Sequence, residues 1–189
     1  YRDCDGISAP GSMTLNYSSV SCGQSGNATL SQVGVGQEIT PICPGYTTTC
    51  QSPFGSITGI EEYIYQATIT LPLECTDWVL SVCECCRNNA ITTINNPSGQ
   101  ELCVEAIINN STGVTPCNNS PTFSIPPVPF ICNSMTYCYN NGAIDIDGDS
   151  LVYTLVTPLS NSSGSLVSYN GSYSVNNPAG GTTTFDPLT

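Results

Sequence analysis

The sequence predicts an all-β protein with many loops and little or no helix. Asn, Gly and Pro, which favour turns, are mixed with Thr, Val, Ile and Tyr, which favour pleated strands. No segment shows the 3.6-residue apolar period of an amphipathic helix. Charged residues make up only 8% of the 189 residues, against about 25% in an ordinary soluble domain. The surface must therefore consist largely of Ser, Thr, Asn, Gln and Gly.

Residues 62–71 and 78–87 show the clearest strand patterns. Apolar residues recur there at alternate positions, which is the two-residue period of a half-buried strand. The apolar face of the first segment carries Tyr63, Tyr65, Ala67, Ile69 and Leu71, and that of the second carries Trp78, Leu80, Val82 and Cys86. Residues 72–77 between them are turn-like, so the two segments are predicted to form a hairpin. A further strand is predicted at residues 151–156.

Twelve cysteines are an even number and a high density for a chain of this length. They are Cys4, Cys22, Cys43, Cys50, Cys75, Cys83, Cys85, Cys86, Cys103, Cys117, Cys132 and Cys138. Disulfides persist only in oxidising compartments, so the count predicts a disulfide-stapled extracellular protein. The local pairs Cys43–Cys50 and Cys132–Cys138 are predicted because each pair brackets a short loop. The pairing of the other eight cysteines stays open.

The segment Cys83-x-Cys85-Cys86 raises a zinc site as an alternative to disulfides. It lacks the usual gap of roughly two to four residues and a second such pair of cysteines, which disfavours zinc. If the segment is a strand, Cys85 and Cys86 point to opposite faces of the sheet. They are therefore predicted to bond separate neighbours and not each other.

The charge balance restricts both partners and chemistry. Fourteen acidic residues face two basic ones, and the formal net charge is −12. Nucleic acids and anionic membranes would be repelled, and no long apolar run predicts membrane insertion. The absence of His excludes histidine-dependent catalytic pairs, and the absence of Lys excludes a Schiff base. We therefore expect no enzymatic activity and no organic cofactor.

Carboxylates and aromatic residues provide the remaining candidate sites. Glu61 and Glu62 face opposite ways on a strand and cannot flank one glycosidic bond, whereas Glu62 and Asp77 could do so only if folding brings them together. Trp78 and the tyrosines of the preceding strand could stack on a sugar, although their apolar positions favour the core. Arg87 is expected to pair with a carboxylate or with backbone carbonyls.

The composition changes at residues 118–128, where prolines favour an extended linker. We predict a disulfide-rich β-sandwich domain over residues 1–124 and a second β-sandwich domain over residues 125–189. The second is expected to be incomplete, because a β-sandwich of this type needs about 100 residues. The chain begins at Tyr1 without Met and is expected to be a piece of a longer protein.

The segment A-I-D-I-D-G-D-S-L places Asp145, Asp147 and Asp149 at alternate positions. On an extended backbone the three carboxylates share one side, and Gly148 allows a bend that brings their oxygens together. Ca²⁺ takes roughly six to eight oxygen ligands, so a calcium site is predicted here. An EF-hand is excluded because the loop lacks Gly at its sixth position and Glu at its twelfth. The alternative is a solvated acidic turn without metal.

The longer segment A-I-D-I-D-G-D-S-L-V-Y-T-L resembles the D-x-D-G-D-x-L-x-Y signature of cadherin-like and related Ig-like repeats in bacterial surface proteins, where the acidic residues often bind Ca²⁺. The segments Y-R-D-C-D-G-I-S-A-P, C-C-R-N-N-A-I, N-N-S-P-x-F and P-V-P-F-I-C extend the resemblance over nearly the whole chain. Together they resemble the large surface proteins of Bacteroidota that are associated with gliding motility and exported by type IX secretion. The resemblance implies tandem Ig-like or cadherin-like β-sandwich modules in an internal fragment.

The same resemblance implies a non-enzymatic structural or adhesive module of a bacterial cell-surface adhesin or extracellular filament. Its partners would be neighbouring repeats or identical subunits of a fibre, with surface glycans as a further candidate. Asp149-Ser150-Leu151 looks like an O-glycan acceptor of that phylum, and a sugar on Ser150 would crowd a calcium ion. The alternative function is a carbohydrate-binding module of a secreted multidomain hydrolase.

Overall fold

The computed structural model describes residues 1–4, 9–40, 45–112, 118–125, 136, 138–140, 142–178, 180 and 185. Apart from one 3₁₀ turn at Pro97–Gly99, the regular structure of these residues is entirely β-strand. The strands are β1 (Arg2–Asp3), β2 (Ser12–Ser19), β3 (Gln24–Glu38), β4 (Ile60–Gln66), β5 (Trp78–Glu84), β6 (Leu102–Ile108), β7 (Thr122–Phe123) and β8 (Ala143–Ile144). The all-β prediction is confirmed for this part of the chain, in which no helix is long and apolar enough to cross a bilayer.

Six strands form one sheet in the order β1–β4–β3–β2–β5–β6, and β7 pairs with β8 separately. A tight turn joins β2 to β3, where the Gly23 amide donates to the Val20 carbonyl at 3.2 Å. Gly23 has a φ of 60°, which glycine adopts without a steric penalty. Because β4 pairs with β3 and β5 pairs with β2, the predicted hairpin of residues 62–71 and 78–87 is wrong.

Contacts divide the chain into two compact units, each built from three separate stretches. The first unit comprises Tyr1–Thr14, Ala28–Thr70 and Pro127–Tyr137, and the second comprises Leu15–Asn27, Leu71–Pro126 and Cys138–Thr189. Both β2 and β3 contribute residues to each unit. This division differs from the two continuous domains expected from the sequence. The boundary between residues 124 and 125 adjoins residues outside the described part, and it stays a prediction.

In the first unit, β4 carries the alternating pattern that the sequence predicted. Tyr63 and Tyr65 are partly covered, whereas Ile64 between them is exposed. The Tyr65 hydroxyl donates to the Pro10 carbonyl at 2.6 Å, and the Tyr63 hydroxyl donates to the Glu61 carboxylate at 2.5 Å. Each aromatic ring therefore covers its neighbours while its hydroxyl finds an acceptor, which is the usual arrangement for a half-buried tyrosine.

The second unit contains the buried apolar side chains of the described residues. They are Cys75, Trp78, Ile94 and Val167. Trp78 begins β5 and is fully buried. Its indole N–H donates to the Leu73 carbonyl at 3.2 Å, and its ring meets that of Tyr17 edge to face with the centroids 5.9 Å apart. Trp78 is therefore a core residue, as its position on an apolar strand face predicted.

The predicted strand at residues 151–156 is wrong, because these residues are described and do not pair as a strand. Tyr153 holds this segment to β8 through its side chain, since its hydroxyl accepts the Ala143 amide at 2.9 Å. Val152 and Val156 are largely exposed. An alternating sequence pattern forms a strand only when a neighbouring backbone completes the hydrogen bonds, and no described strand does so here.

Candidate functional site

The acidic loop follows β8 and folds around the carboxylate of Asp145. One oxygen of this carboxylate, Oδ1, accepts the Asp147 amide at 2.8 Å and the Asp149 amide at 3.3 Å. The Gly148 amide donates to the Asp145 carbonyl at 3.3 Å, and Gly148 has a φ of 80°. The bend that the sequence predicted at Gly148 is confirmed, and backbone amides stabilise it.

Asp147 is held by Asn119, a residue that the sequence did not indicate as part of the site. The Asn119 amide donates to Asp147 Oδ2 at 2.6 Å. The Asn119 side-chain Nδ2 lies 3.0 Å from Oδ1 and 3.2 Å from Oδ2 of the same carboxylate. Asn119 precedes β7 and Asp147 follows β8, so the pairing of these two strands brings the residues together. No local sequence signal connects positions 28 residues apart.

The carboxylates of Asp145, Asp147 and Asp149 do not all lie within 4.8 Å of one another. Among the described residues, three candidate ligand atoms lie within 4.8 Å of one another only in two sets. The sets are Cys4, Cys50 and Glu61, and Cys83, Glu101 and Cys103. Their cysteines form disulfides and therefore provide no thiolate ligand. Asp145 and Asp147 accept N–H donors, and the calcium site stays a prediction.

Ser150 continues the acidic loop and is exposed, as a glycan acceptor must be. Its neighbour Asp149 is also exposed, and its carboxylate accepts no hydrogen bond from another described residue. The carboxylate of Asp149 and the hydroxyl of Ser150 are thus open to solvent. Glycosylation of Ser150 stays a prediction.

Four disulfides join described cysteines. They are Cys4–Cys50, Cys22–Cys75, Cys83–Cys103 and Cys85–Cys86. The predicted Cys43–Cys50 bond is wrong, because Cys50 is bonded to Cys4. The pairing of β1 with β4 and the bond from the Cys4 amide to the Gly59 carbonyl bring the N-terminus beside the loop that contains Cys50. The partner of Cys50 is therefore determined by the pairing of β1 with β4 and not by closeness in the sequence.

The Cys85–Cys86 bond also differs from the expectation that each residue bonds a separate neighbour. That expectation treated the segment as a strand, but β5 ends at Glu84 and the alternation of side chains ends with it. Cys83 does lie on the strand and bonds Cys103 directly opposite on β6. With all three cysteines of the segment oxidised, the alternative zinc site has no thiolate available.

The other predicted cysteine pair falls partly outside the described residues. Cys43, Cys117 and Cys132 belong to the part of the chain that is not described. Cys138 is exposed and has no bonded partner among the described cysteines. The Cys132–Cys138 pair therefore stays a prediction.

Asp77 precedes β5 and binds the turn between β2 and β3. Its carboxylate accepts the Ser19 hydroxyl at 2.5 Å, the Ser21 hydroxyl at 2.5 Å and the Ser21 amide at 2.9 Å. These donors, the Ser19 hydroxyl first, favour the charged form and lower the pKa of Asp77 from 3.8 to about 2. Sequence reasoning considered Asp77 only as a partner for Glu62. The Cys22–Cys75 bond joins the same two segments, but the sequence left this pairing open, so it held no signal for the contact.

No protein-family model, curated protein or solved structure matches this chain. The resemblance to type IX-secreted surface proteins of Bacteroidota therefore stays a prediction.

The polar groups of these sites bind one another within the chain. Arg87 also binds groups of the chain itself. Its Nη2 donates to the Leu159 carbonyl at 2.8 Å, and its backbone amide donates to the Gln100 carbonyl at 2.9 Å. The expectation that Arg87 binds backbone carbonyls is confirmed. Asp77, Asp147 and Arg87 each connect segments that are distant in sequence. Chemically, this arrangement is suited to holding loops in place.

Proposed function

We propose that this chain is a non-enzymatic structural or adhesive module of an extracellular bacterial surface protein or filament. The observation that supports this most directly is that eight described cysteines form four disulfides. Disulfides persist in oxidising compartments and restrict the unfolded ensemble. The low content of charged residues, 8%, suits a surface of mostly uncharged polar side chains that is permanently exposed to solvent.

The finer form of this proposal is a tandem Ig-like or cadherin-like β-sandwich protein of the kind secreted by the type IX system and associated with gliding motility. Two features support it: the six-stranded sheet and the acidic loop with its Asp-x-Asp-Gly-Asp pattern. The described sheet would be one layer of a sandwich, and neighbouring repeats would continue the rod. Calcium at the acidic loop would stiffen the module further.

Antibody labelling of intact source cells tests the proposed location and role. Antibodies raised against the purified chain should label the surface of cells that have not been permeabilised. A periplasmic or cytoplasmic protein of the same cells, probed in parallel, should stay unlabelled and serves as the control. Labelling that appears only after permeabilisation would contradict the proposal.

The alternative function, a carbohydrate-binding module, depended on Trp78 as a stacking platform together with Tyr63 and Tyr65. Trp78 is fully buried, and its indole N–H is bonded inside the protein. A sugar ring cannot stack on a face that is covered by core residues. The structure therefore offers no specific observation in favour of this alternative, and we do not propose it.

Calcium binding has a separate test in the acidic loop. Ca²⁺ should raise the melting temperature of the wild-type protein, because a ligand that binds only the folded state adds about 2.7 kcal/mol at a hundredfold excess over its Kd. The variant Asp147→Asn should lose this shift, and Asp3→Asn in β1, outside the loop, should keep it. A wild-type melting curve that is the same in Ca²⁺ and in EDTA would remove calcium from the proposal.

A further inference from the structure

The bond between Cys85 and Cys86 is the most accessible of the four disulfides that join described cysteines. Both of its cysteines are exposed. In each of the other three bonds both cysteines are buried or partly covered, and Cys75 is only 2% exposed. Thiol–disulfide exchange begins when a thiolate attacks a disulfide sulfur, so its rate depends on access. External thiols should therefore reach this bond first.

The two cysteines occupy an irregular step in the pairing of β5 with β6. These strands are opposed residue for residue over their whole length. Beyond their ends, the Arg87 amide donates to the Gln100 carbonyl at 2.9 Å. Two residues, Cys85 and Cys86, separate β5 from this contact, whereas one residue, Glu101, separates it from β6. Two residues opposite one is the arrangement of a β-bulge, which occurs often beside functional sites.

The chain on both sides of this bulge is held by contacts that do not depend on the exposed disulfide. Before the bulge, Cys83 lies on β5 and is bonded to Cys103 on β6. After the bulge, the Arg87 Nη2 donates to the Leu159 carbonyl at 2.8 Å. Opening the exposed disulfide should therefore release the bulge alone and leave the paired strands in place.

The exposed disulfide also contributes little to the stability of the whole chain. It joins consecutive residues, with a sequence separation of 1, whereas the other three bonds span 46, 53 and 20 positions. A disulfide stabilises mainly by closing a loop of the unfolded chain, and the gain grows with the length of that loop. Reduction of this bond is therefore compatible with a folded protein.

The charges that flank the pair favour one direction of attack. Arg87 follows Cys86, and a neighbouring positive charge stabilises a thiolate. Glu84 precedes Cys85, and its negative charge disfavours a thiolate there. Exchange is faster when the departing sulfur is the better stabilised thiolate. Attack on the Sγ of Cys85 with departure of the Sγ of Cys86 is therefore the favoured order.

We propose that Cys85 and Cys86 form a redox-active site that exchanges with external dithiols while the protein stays folded. One thiolate of the dithiol attacks the Sγ of Cys85, the S–S bond breaks, and Cys86 leaves as a thiolate. The second thiol of the dithiol then attacks the first sulfur of the same molecule, which expels Cys85 and closes the oxidised dithiol. Two electrons pass to the protein, and the two protons of the dithiol end on the two cysteines. This inference does not depend on the proposed function.

Peptide mapping of the oxidised protein tests the bond itself. Free thiols, including that of the exposed Cys138, are first blocked with iodoacetamide, and the protein is then cleaved without reduction. One peptide should contain Cys85 and Cys86 without their thiol hydrogens and without any second peptide attached. A map in which either cysteine is bonded elsewhere would overturn the proposal.

Graded reduction of the blocked, native protein tests the reactivity. Dithiothreitol is added in rising concentration, and newly freed thiols are labelled with N-ethylmaleimide and located by mass spectrometry. Cys85 and Cys86 should be labelled at a dithiothreitol concentration at least about tenfold below the one that opens the Cys22–Cys75 bond. The circular dichroism spectrum should not change at this stage. Earlier opening of another described disulfide, or loss of the spectrum together with labelling of Cys85 and Cys86, would contradict the proposal.

The double variant Cys85→Ser/Cys86→Ser is the matched control. It should lose the early labelling step and keep the circular dichroism spectrum and the later steps. Early labelling that persists in this variant would assign the reactivity to other cysteines and overturn the proposal. The comparison among the wild-type bonds decides the question even if this variant does not fold.

The order of attack is tested with a monothiol. The mixed disulfide that 2-mercaptoethanol forms with the wild type, trapped by acid, should carry the adduct on Cys85. An adduct on Cys86 would reverse the assigned order. None of these results would alter the surface labelling that tests the proposed function.

Discussion

At the scale of single residues, the charged groups of this chain are stabilised by hydrogen-bond donors from its own loops. Serine hydroxyls and an amide bind Asp77, and Asn119 binds Asp147 through its backbone and its side chain. With only two basic residues in the sequence, ion pairs can compensate few of the fourteen acidic groups. Neutral N–H and O–H donors therefore take the place that Lys and Arg have in most proteins.

The lowered pKa of Asp77 predicts acid sensitivity of the turn between β2 and β3. The folded-state pKa of about 2 lies below the usual 3.8. The charged carboxylate therefore contributes stability at all pH values above about 4, and this contribution is lost as the pH falls through about 2. Urea midpoints measured between pH 7 and pH 2 should show the loss.

Asp77→Asn is the matched variant for this pH dependence. It should lower the stability at pH 7 and reduce the loss between pH 4 and pH 2, because no charge remains to be titrated at this position. Ser19→Ala removes the first donor and should raise the pKa of Asp77. An Asp77→Asn protein with the same acid dependence as the wild type would show that other carboxylates dominate it.

At the scale of elements, two glycines in β3 make room for tyrosine rings from neighbouring strands. A Cβ added at Gly26 would overlap the Tyr17 ring of β2, and one added at Gly36 would lie 2.5 Å from Cζ of Tyr63 in β4. Glycine weakens a strand by itself, but an aromatic ring laid over it restores contact area. The pairing of β3 with both neighbours thus includes side-chain packing as well as backbone hydrogen bonds.

Gly36→Ala should destabilise the first unit by roughly 1–3 kcal/mol, which is typical of overpacking. The added methyl group would displace the Tyr63 ring and with it the hydroxyl that donates to Glu61 at 2.5 Å. Gly11→Ala is the control, because a Cβ at Gly11 meets nothing within 4 Å. Chemical denaturation of the two variants should separate them, and equal stabilities would contradict the packing argument.

At the scale of the whole molecule, covalent links supplement a small apolar core. Only Cys75, Trp78, Ile94 and Val167 are buried apolar residues within the described ranges. The three disulfides between residues distant in sequence span 46, 53 and 20 positions. Such links lower the entropy of the unfolded chain, and they do so more for longer loops.

The Cys22–Cys75 bond should therefore contribute more stability than the Cys83–Cys103 bond. With sequence separations of 53 and 20, loop-closure entropy gives about 4 and about 3 kcal/mol respectively. The double variants Cys22→Ala/Cys75→Ala and Cys83→Ala/Cys103→Ala, compared by urea unfolding, measure the two contributions. If the second double variant is the less stable, the entropic account does not apply to this chain.

The sequence by itself determined the class of this protein and the local features that depend on residue type. Turn and strand formers specified an all-β chain, and the cysteine count specified disulfides. Alternating apolar residues located β5 within the predicted segment 78–87 and overlapped β4, which begins two residues before the predicted segment 62–71 and ends at Gln66, and Gly148 specified a bend in the acidic loop. These features depend on neighbours within a few residues, and so a linear pattern contains them.

Only the tertiary structure decided which segments meet. It placed β4 beside β3 and β5 beside β2, bonded Cys50 to Cys4, and brought Asn119 to Asp147. A strand pattern indicates that an edge needs a partner but does not specify which one, because any extended backbone offers the same N–H and C=O groups. Cysteine pairing and the partners of the carboxylates follow from that choice, since strand register determines which side chains come within bonding distance.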